Sequence, residues 1–301
     1  MHMWPRLIRT GIRLLLLSQL LLSSTLLRSQ GTFSLTPSSP TSTASTVVDL
    51  FSTSVQVHID LPNGLSVPGL NTDTSQDRSF VISRTIKVLS QDPTGIHSLQ
   101  VSYLSVADLK AGVLPALEQA PTDIGASFKG KTYDIDCRTA GVTIESATGG
   151  TPSAASDDEA KLVKRECDDL TRTGTLQSAL TSISTGQIVP LNPPATTGLF
   201  SSEVNNFSIS TWQFTLVSVT PGVGGEPSVA SFSVTAKADP SSQISQSFPI
   251  YEGEMSIDSS GAAIDLSLRS AMSSSEPLPD GTSHITSHGT MNVQFKRRVQ
   301  Q

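Results

Sequence analysis

Hydrophobic and polar residues alternate along much of this chain, most clearly in the segment Gly253–Leu268. Alternation with a period of two is typical of a β-strand that has one buried face and one face in water. The middle of the segment, Asp258-Ser259-Ser260-Gly261, has turn chemistry, because Asp and Ser side chains bond their own backbone and Gly accepts a positive φ. The segment therefore predicts a β-hairpin, whose buried face holds Met255, Ile257, Ile264, Leu266 and Leu268.

The same alternation recurs often enough to predict two β units in tandem. Each unit runs from a long hairpin to a short hairpin with an Ile-Asp pair beside its turn, so we expect the two units to be related. In the second unit the apolar residues change from even to odd positions at Val217, and such a change of alternation indicates a β-bulge. Besides Gly253–Leu268, the predicted strands are Val55–Leu61, Phe80–Val88, Leu99–Tyr103, Tyr133–Ile135, Val142–Ile144, Phe207–Leu216, Phe232–Ala236 and Ile285–Phe295.

A helical period replaces the alternation near the end of the first unit. Ser156-Asp157-Asp158-Glu159 has the spacing of a capping box, which starts a helix. Apolar positions then recur at helical spacing, first at Ala160, Val163, Cys167 and Leu170, and again at Leu176, Ala179, Leu180 and Ile183. We therefore predict a helical insert at about residues 156–184. The Pro-rich stretch Gly186–Gly198 then predicts a linker or a long crossover.

The N-terminus has the three parts of a secretory signal peptide. Three arginines precede the apolar run Leu14–Leu27, and Ser29-Gln30-Gly31 offers small residues that a signal peptidase accepts. An uncleaved membrane anchor is the alternative, but the run is shorter than the roughly 20 mostly apolar residues that a spanning helix needs. We expect residues 1–31 to be removed and the protein to be exported, to the periplasm or outside the cell.

Residues 32–46 are rich in Ser, Thr and Pro, and this composition buries too little apolar surface to offset the entropy of ordering. They are predicted to be a disordered tether. The remaining chain is divided into a first β unit, residues 47–190, which contains the helical insert, and a second β unit, residues 191–301. The fold class predicted is mainly β, with antiparallel, strongly curved sheets or half-barrels.

The charge argues against nucleic-acid binding. The chain has 20 Lys and Arg residues against 26 Asp and Glu residues, a formal net charge of −6. Residues 1–31 hold four Arg and no acid, so their removal leaves 16 against 26 and a net charge of −10. An acidic protein whose basic cluster is confined to Lys296-Arg297-Arg298 is a poor match for nucleic acids or anionic membranes. We expect no nucleic-acid partner, and membrane contact through the signal segment alone.

The two cysteines of the chain, Cys137 and Cys167, predict a disulfide. A cysteine pair in an exported protein is more often a disulfide than a metal half-site or a reactive thiol. Cys167 lies on the helical stripe and Cys137 ends the strand at Tyr133–Ile135, so the bond would join the helix to the sheet. In the chain-entropy model a loop of about 30 residues closed in this way stabilises the fold by roughly 3 kcal/mol.

The sequence carries no motif for catalysis or for a cofactor. It lacks a nucleophile elbow, a Walker loop, a His-Glu-x-x-His pair and a dinucleotide fingerprint, so we expect no enzyme and no cofactor. His284 and His288 would stand roughly 13 Å apart on a strand, too far to share one metal ion. The acidic groups Asp134/Asp136 and Asp157–Glu159 lack the spaced oxygen ligands of a Ca²⁺ loop. No metal site is predicted.

Two motifs resemble those of secreted, β-rich bacterial envelope proteins of unknown function. They are Gly130-Lys131-Thr132-Tyr133, before the helical insert, and the late hairpin from Gly253 to Gly261. More distantly, the order of elements is similar to the curved antiparallel sheets of periplasmic lipoprotein carriers and lipid-binding envelope proteins. The resemblance covers about Val47–Phe295 and implies a fold rather than an activity.

The predicted function is that of an exported binding protein, which holds an apolar or lipid-like ligand in or between its curved sheets. Large antiparallel sheets with a continuous apolar face often enclose such ligands. The candidate ligand-binding residues are the aromatic side chains of Trp212, Phe214 and Tyr103, although inward aromatics are more often core. The alternative is a structural or protein-interaction module of the cell envelope without a ligand cavity.

Overall fold

A computed structural model describes residues 31–36, 44–62, 71–92, 95–111, 129–139, 141–144, 153–157, 160, 163–164, 166–167, 176–191, 209–238, 247–279 and 282–300. The predicted signal peptide, except for residue 31, lies outside these residues. The strands in the described part are β1 (Thr32–Phe33), β2 (Ser45–Asp60), β3 (Asp73–Asp92), β4 (Gly95–Ala111), β5 (Thr132–Asp136), β6 (Gly141–Ile144), β7 (Ser153–Ala154), β8 (Ile183–Ser184), β9 (Ile188–Leu191), β10 (Ile209–Thr220), β11 (Val229–Ala238), β12 (Ile250–Asp258), β13 (Ala263–Pro277) and β14 (His284–Gln300).

Twelve of the strands in this described part form one open antiparallel sheet, in the order β7-β6-β5-β4-β3-β2-β14-β13-β12-β11-β10-β9. The mainly β, antiparallel fold class is thereby confirmed. The first and last long strands, β2 and β14, pair along their length, from Thr46↔Gln300 to Asp60↔Thr286. This pairing places the strands of both predicted units in a single sheet. That the two units are related to each other stays a prediction.

The predicted hairpins are present with the expected parity. In β12 and β13, Met255 lies opposite Leu266 and Ile257 opposite Ile264. The turn between them is held by Asp258, whose Oδ1 accepts hydrogen bonds from Ser260 Oγ at 2.7 Å and Ala262 N at 2.9 Å. In β10 the register against β11 shifts between Leu216 and Ser218, where the sequence predicts a bulge.

The buried apolar side chains of the sheet lie on one face, the buried face, and pack in two clusters. The larger cluster lies on β9–β14 and is covered by Phe33 and Leu35 together with Leu176, Leu180 and Ile183. The smaller cluster lies on β3–β5 and is covered by Val163 of the helical insert. Each half of the buried face therefore has its own covering segment.

The helical insert and the disulfide are both confirmed. Helical hydrogen bonds run from Ala160 N to Ser156 O at 2.8 Å and from Lys164 N to Ala160 O at 3.0 Å. The Cys137–Cys167 disulfide joins the insert to the end of β5, with a Cα–Cα distance of 5.6 Å. A second helical turn forms at residues 176–179, whereas Ile183, predicted as helical, belongs to β8.

The predicted tether is wrong for its described residues. β1 pairs with β8, Phe33 and Leu35 are each 1% exposed, and Leu35 N donates to Leu180 O at 2.9 Å. β2 begins at Ser45, also inside the predicted tether. The average composition of residues 32–46 conceals two apolar side chains with strand spacing, which bury against the larger cluster. Residues 37–43 lie outside the described part.

The predicted linker contains an edge strand. Ile188–Leu191 forms β9, with Val189 and Leu191 buried against β10. Pro190 is tolerated there because an edge strand can leave one side of its backbone unpaired. The predicted boundary between residues 190 and 191 therefore falls inside a strand, and residues 192–198 lie outside the described part.

Candidate functional site

The candidate ligand residues Trp212 and Phe214 pack as core side chains. Their rings stack with centroids 5.7 Å apart, and Phe214 meets Phe232 edge-on at 6.3 Å. They are 2% and 0% exposed. Offset or edge-on ring contacts of this kind stabilise a core beyond the area that they bury.

The third candidate, Tyr103, lies in the other apolar cluster, so the structure does not bring the three aromatics together. Its ring meets Tyr133 edge-on at 5.9 Å, and its hydroxyl donates to Glu166 Oε1 at 3.1 Å. Burial, followed by the nearby Glu166 carboxylate, raises the pKa of the Tyr103 phenol well above its usual value. Tyr103 thereby helps to hold the helical insert on the sheet.

A buried ionic network lies between the two apolar clusters. Asp49 on β2 accepts from Arg297 Nε and Nη2 at 2.7 and 2.8 Å and from Arg84 Nη1 at 2.9 Å. Arg84 in turn lies 2.6 Å from Glu166 of the insert. Burial alone would raise the pKa of Asp49, but the charges of Arg297 and Arg84 outweigh it and hold the pKa well below its usual value. The network therefore links β2, β3, β14 and the insert.

The ionic network was not predicted from the sequence, although two charged residues at apolar strand positions indicate it. Arg84 occupies an apolar position of β3, in step with Ile82, Ile86 and Val88, and Asp49 interrupts the apolar run that starts β2. A charged residue at a buried position requires a partner, since an unpaired charge is costly to bury. The alternation of apolar positions alone could identify both charged residues as buried, but it could not identify their partners.

The opposite face of the second half of the sheet, the polar face, carries a groove of about 480 Å³. Eight of its lining residues form two rows that lie directly opposite one another on β11, β12, β13 and β14. Phe232, Met255 and Leu266, which are buried, also line it. The first row is Ser231, Ser256, Asp265 and Lys296. The second row is Ser233, Glu254, Ser267 and Gln294. We call this feature the polar groove; Val217 of the β10 bulge also lines it.

The histidines in the described part of the chain lie at the surface or in ion pairs. His284 and His288 are exposed on β14, and His288 lies opposite His58 of β2. His58 contacts Asp73 at 2.7 Å and Asp60 at 3.1 Å, and these hydrogen bonds raise the pKa of its imidazole. The His97 side chain is largely covered, and its Nε2 lies 2.6 Å from Asp92.

Two of the acidic residues considered as Ca²⁺ ligands, Asp134 and Asp136, have local structural roles. Asp134 accepts from Gln100 at 3.1 Å, and Asp136 accepts from the backbone of Arg138 and Thr139 in the β5–β6 turn. The Thr139 hydroxyl, followed by these backbone groups, lowers the pKa of Asp136. Within the described residues, no group of three or more His, Cys, Asp or Glu side chains could hold a metal ion.

No protein-family model and no curated protein matches this chain. Among solved structures, one of lipovitellin, concerned with its lipid–protein interactions, aligns over 85% of this chain and 25% of that chain, with 11% identity and a TM-score of 0.28. This chain therefore spans about a quarter of the lipovitellin chain. Of the helical segments in the described part, none is long and apolar enough to cross a membrane. The resemblance to secreted envelope proteins stays a prediction.

Proposed function

We propose that this protein is an exported, non-catalytic binding or interaction module, which binds at its exposed surfaces and uses the packed sheet as a rigid scaffold. The observation that carries the proposal is the packing of Trp212 and Phe214, which are buried and stacked on each other. A ligand held against the buried face would have to displace the side chains that cover it, such as Phe33 and Leu180.

Export is supported by two independent features. The N-terminus has the layout of a signal peptide, and the Cys137–Cys167 disulfide fits an oxidising compartment. Intact-mass measurement of the exported protein should find a chain that starts near Thr32. Recovery of the full-length chain from the membrane fraction would contradict this part of the proposal.

The non-catalytic assignment rests on the sequence, which carries no catalytic or cofactor motif. The charge cluster around Asp49 and Arg84 is buried and holds strands and insert together. Its groups are thus engaged in packing.

The rival function, uptake of an apolar or lipid-like ligand, is separated from the proposal by one pair of measurements. We expect the wild-type protein to show no uptake of a fluorescent fatty acid, and Phe214→Ala to lower the free energy of unfolding by about 3–5 kcal/mol, as in a packed core. The matched control is Val217→Ala on the same strand, whose side chain is exposed and should cost less than about 1 kcal/mol.

Saturable fatty-acid uptake that Phe214→Ala weakens, together with a small loss of stability, would overturn the proposal and favour the lipid-binding function. Native mass spectrometry of protein purified from its own host gives a second readout. A co-purifying lipid mass would also contradict the proposal.

A further inference from the structure

We infer that the polar groove binds a neutral polyhydroxylated ligand, such as an oligosaccharide. The inference rests on the proposed function, because it requires that binding occurs on the outside of the sheet. It names the site and the chemical class of the ligand.

The first argument is the regular spacing of polar side chains in the polar groove. Adjacent strands of a sheet lie about 4.8 Å apart, and neighbouring residues on one face of a strand lie roughly 7 Å apart. The two opposed rows therefore present polar groups on a fixed grid, carried by strands rather than by loops. Such a floor is already ordered before binding, so a ligand loses little free energy in ordering it.

The second argument is the mixture of donors and acceptors in the polar groove. A serine hydroxyl both donates and accepts, a carboxylate accepts, an ammonium donates and an amide does both. Glu254 lies between Ser233 and Ser267, and Ser256 lies between Ser231 and Asp265. Vicinal hydroxyls of a sugar also donate and accept, so they match this mixture, whereas an alkyl chain would leave these groups desolvated and unpaired.

The third argument is that the groove's polar groups are accessible and little used by the protein. Ser233, Glu254, Ser267 and Gln294 are exposed, and in the described part of the chain no side-chain hydrogen bond engages them. Asp265 is the exception, since Arg298 Nη2 donates to its Oδ2 at 2.7 Å. The other oxygen, Oδ1, is buried and has no hydrogen-bond partner among the described residues. Arg298 thus holds Asp265 in place.

The fourth argument is charge. The groove floor carries two carboxylates, Glu254 and Asp265, and one ammonium, Lys296. This near balance favours a neutral ligand over a polyanion, since a polyanion would approach two carboxylates. Val217, which also lines the groove, adds an apolar contact for the C–H groups of a sugar ring.

The test uses three neutral hexasaccharides, built from glucose, mannose or N-acetylglucosamine, and an oligogalacturonate of equal length as the anionic probe. Binding is followed by NMR chemical-shift perturbation and calorimetry on the exported protein. We expect at least one neutral probe to bind with saturable shifts confined to β11–β14, and the oligogalacturonate to bind at least tenfold more weakly.

Two variants locate the site, and a third serves as control. Glu254→Gln should weaken binding about tenfold, because hydrogen bonds to a charged group are the stronger ones, and Ser267→Tyr should abolish binding by filling the groove. Glu276→Gln, an exposed carboxylate on β13 outside the groove, should bind as wild type. Circular dichroism checks that each variant is folded.

The inference is overturned if none of the neutral probes binds at millimolar concentration, if Glu254→Gln binds as wild type, or if the anionic probe binds equally well. The proposed function fails by a different result, the uptake of a fatty acid. Absence of saccharide binding without fatty-acid uptake would reject the ligand class and leave the proposed function standing.

Discussion

Replacing Asp49 by asparagine tests whether the buried ionic network holds the fold together. The carboxylate of Asp49 neutralises two arginines, Arg84 and Arg297, and the three side chains are 12%, 4% and 12% exposed. An asparagine side chain at this position would keep the shape but remove the charge, so two buried guanidinium groups would face each other. Breaking a buried ion pair typically costs about 3–5 kcal/mol.

We expect the loss for Asp49→Asn at pH 7 to be about 3 kcal/mol, the lower end of that range. The reason is that Arg84 keeps Glu166 as a partner at 2.6 Å, so one of the two arginines is still compensated. The control is Glu252→Gln, an exposed carboxylate on β12 opposite Arg269, which should change stability by less than about 0.5 kcal/mol.

The difference in stability between wild type and Asp49→Asn should depend on pH, and the direction of this dependence follows from the pKa of Asp49. The pKa of Asp49 is lowered in the folded protein, whereas in the unfolded chain an aspartate titrates near about pH 3.9. The stabilisation by Asp49 is therefore complete well above about pH 4 and declines as the pH falls towards the folded pKa. The gap between wild type and Asp49→Asn should be constant from about pH 7 to pH 5 and about 1 kcal/mol smaller at pH 3.

Urea unfolding of the exported protein measures the gap at each pH. Trp212 is the only tryptophan after residue 31 and is buried, so its fluorescence reports unfolding, with circular dichroism as the second probe. Coincident transitions would support two-state treatment. A gap below about 1 kcal/mol at pH 7, or a gap that stays constant down to pH 3, would refute the reasoning.

Three further predictions concern the disulfide, a close strand contact and a surface histidine. Non-reducing peptide mapping should find Cys137 linked to Cys167, and Cys167→Ser should lower stability by about 3 kcal/mol; free thiols in the folded protein would contradict this. Gly253→Ala should destabilise by about 1–3 kcal/mol in urea unfolding, because the added Cβ would collide with the backbone carbonyl of Ser267; an unchanged midpoint would count against this close approach. An NMR titration should place the pKa of His58 in the folded protein above 6.5. The ion pairs of His58 therefore stabilise the fold below pH 6.5, and this stabilisation is lost as the pH rises through the pKa of His58 in the folded protein. A titration midpoint at or below 6.5 would reject those pairs.

The sequence predicted local features well because they depend on neighbouring residues. The turn at Asp258–Gly261, the bulge beside Val217 and the helical start at Ser156 all follow from side-chain chemistry within a few positions. The disulfide was predictable because two cysteines allow one pairing. The prediction of a disordered tether was wrong because it used the average composition of residues 32–46. That polar average hid two apolar residues, Phe33 and Leu35, which are buried.

The candidate ligand site could not be judged from the sequence. Alternation assigned Trp212, Phe214 and Tyr103 to an inward face, but an inward side chain can line a cavity or fill a core. Distances decided their environment, because Trp212 and Phe214 stack on each other whereas Tyr103 bonds Glu166 in the other cluster.

By itself, the sequence determined the long strands, their buried faces and their hairpin partners, since period-2 alternation and turn residues specify which side chains share a face. It did not determine the short strands β1, β8 and β9, which form where a tether, a helix and a linker were predicted. The tertiary structure alone decided that β2 pairs with β14, two strands that lie at opposite ends of the described chain. That choice depends on the free energy of the whole sheet and not on any local pattern. It brings Arg297 to Asp49 and gives one continuous sheet, on which the four serines of the polar groove align only once β11–β14 are paired.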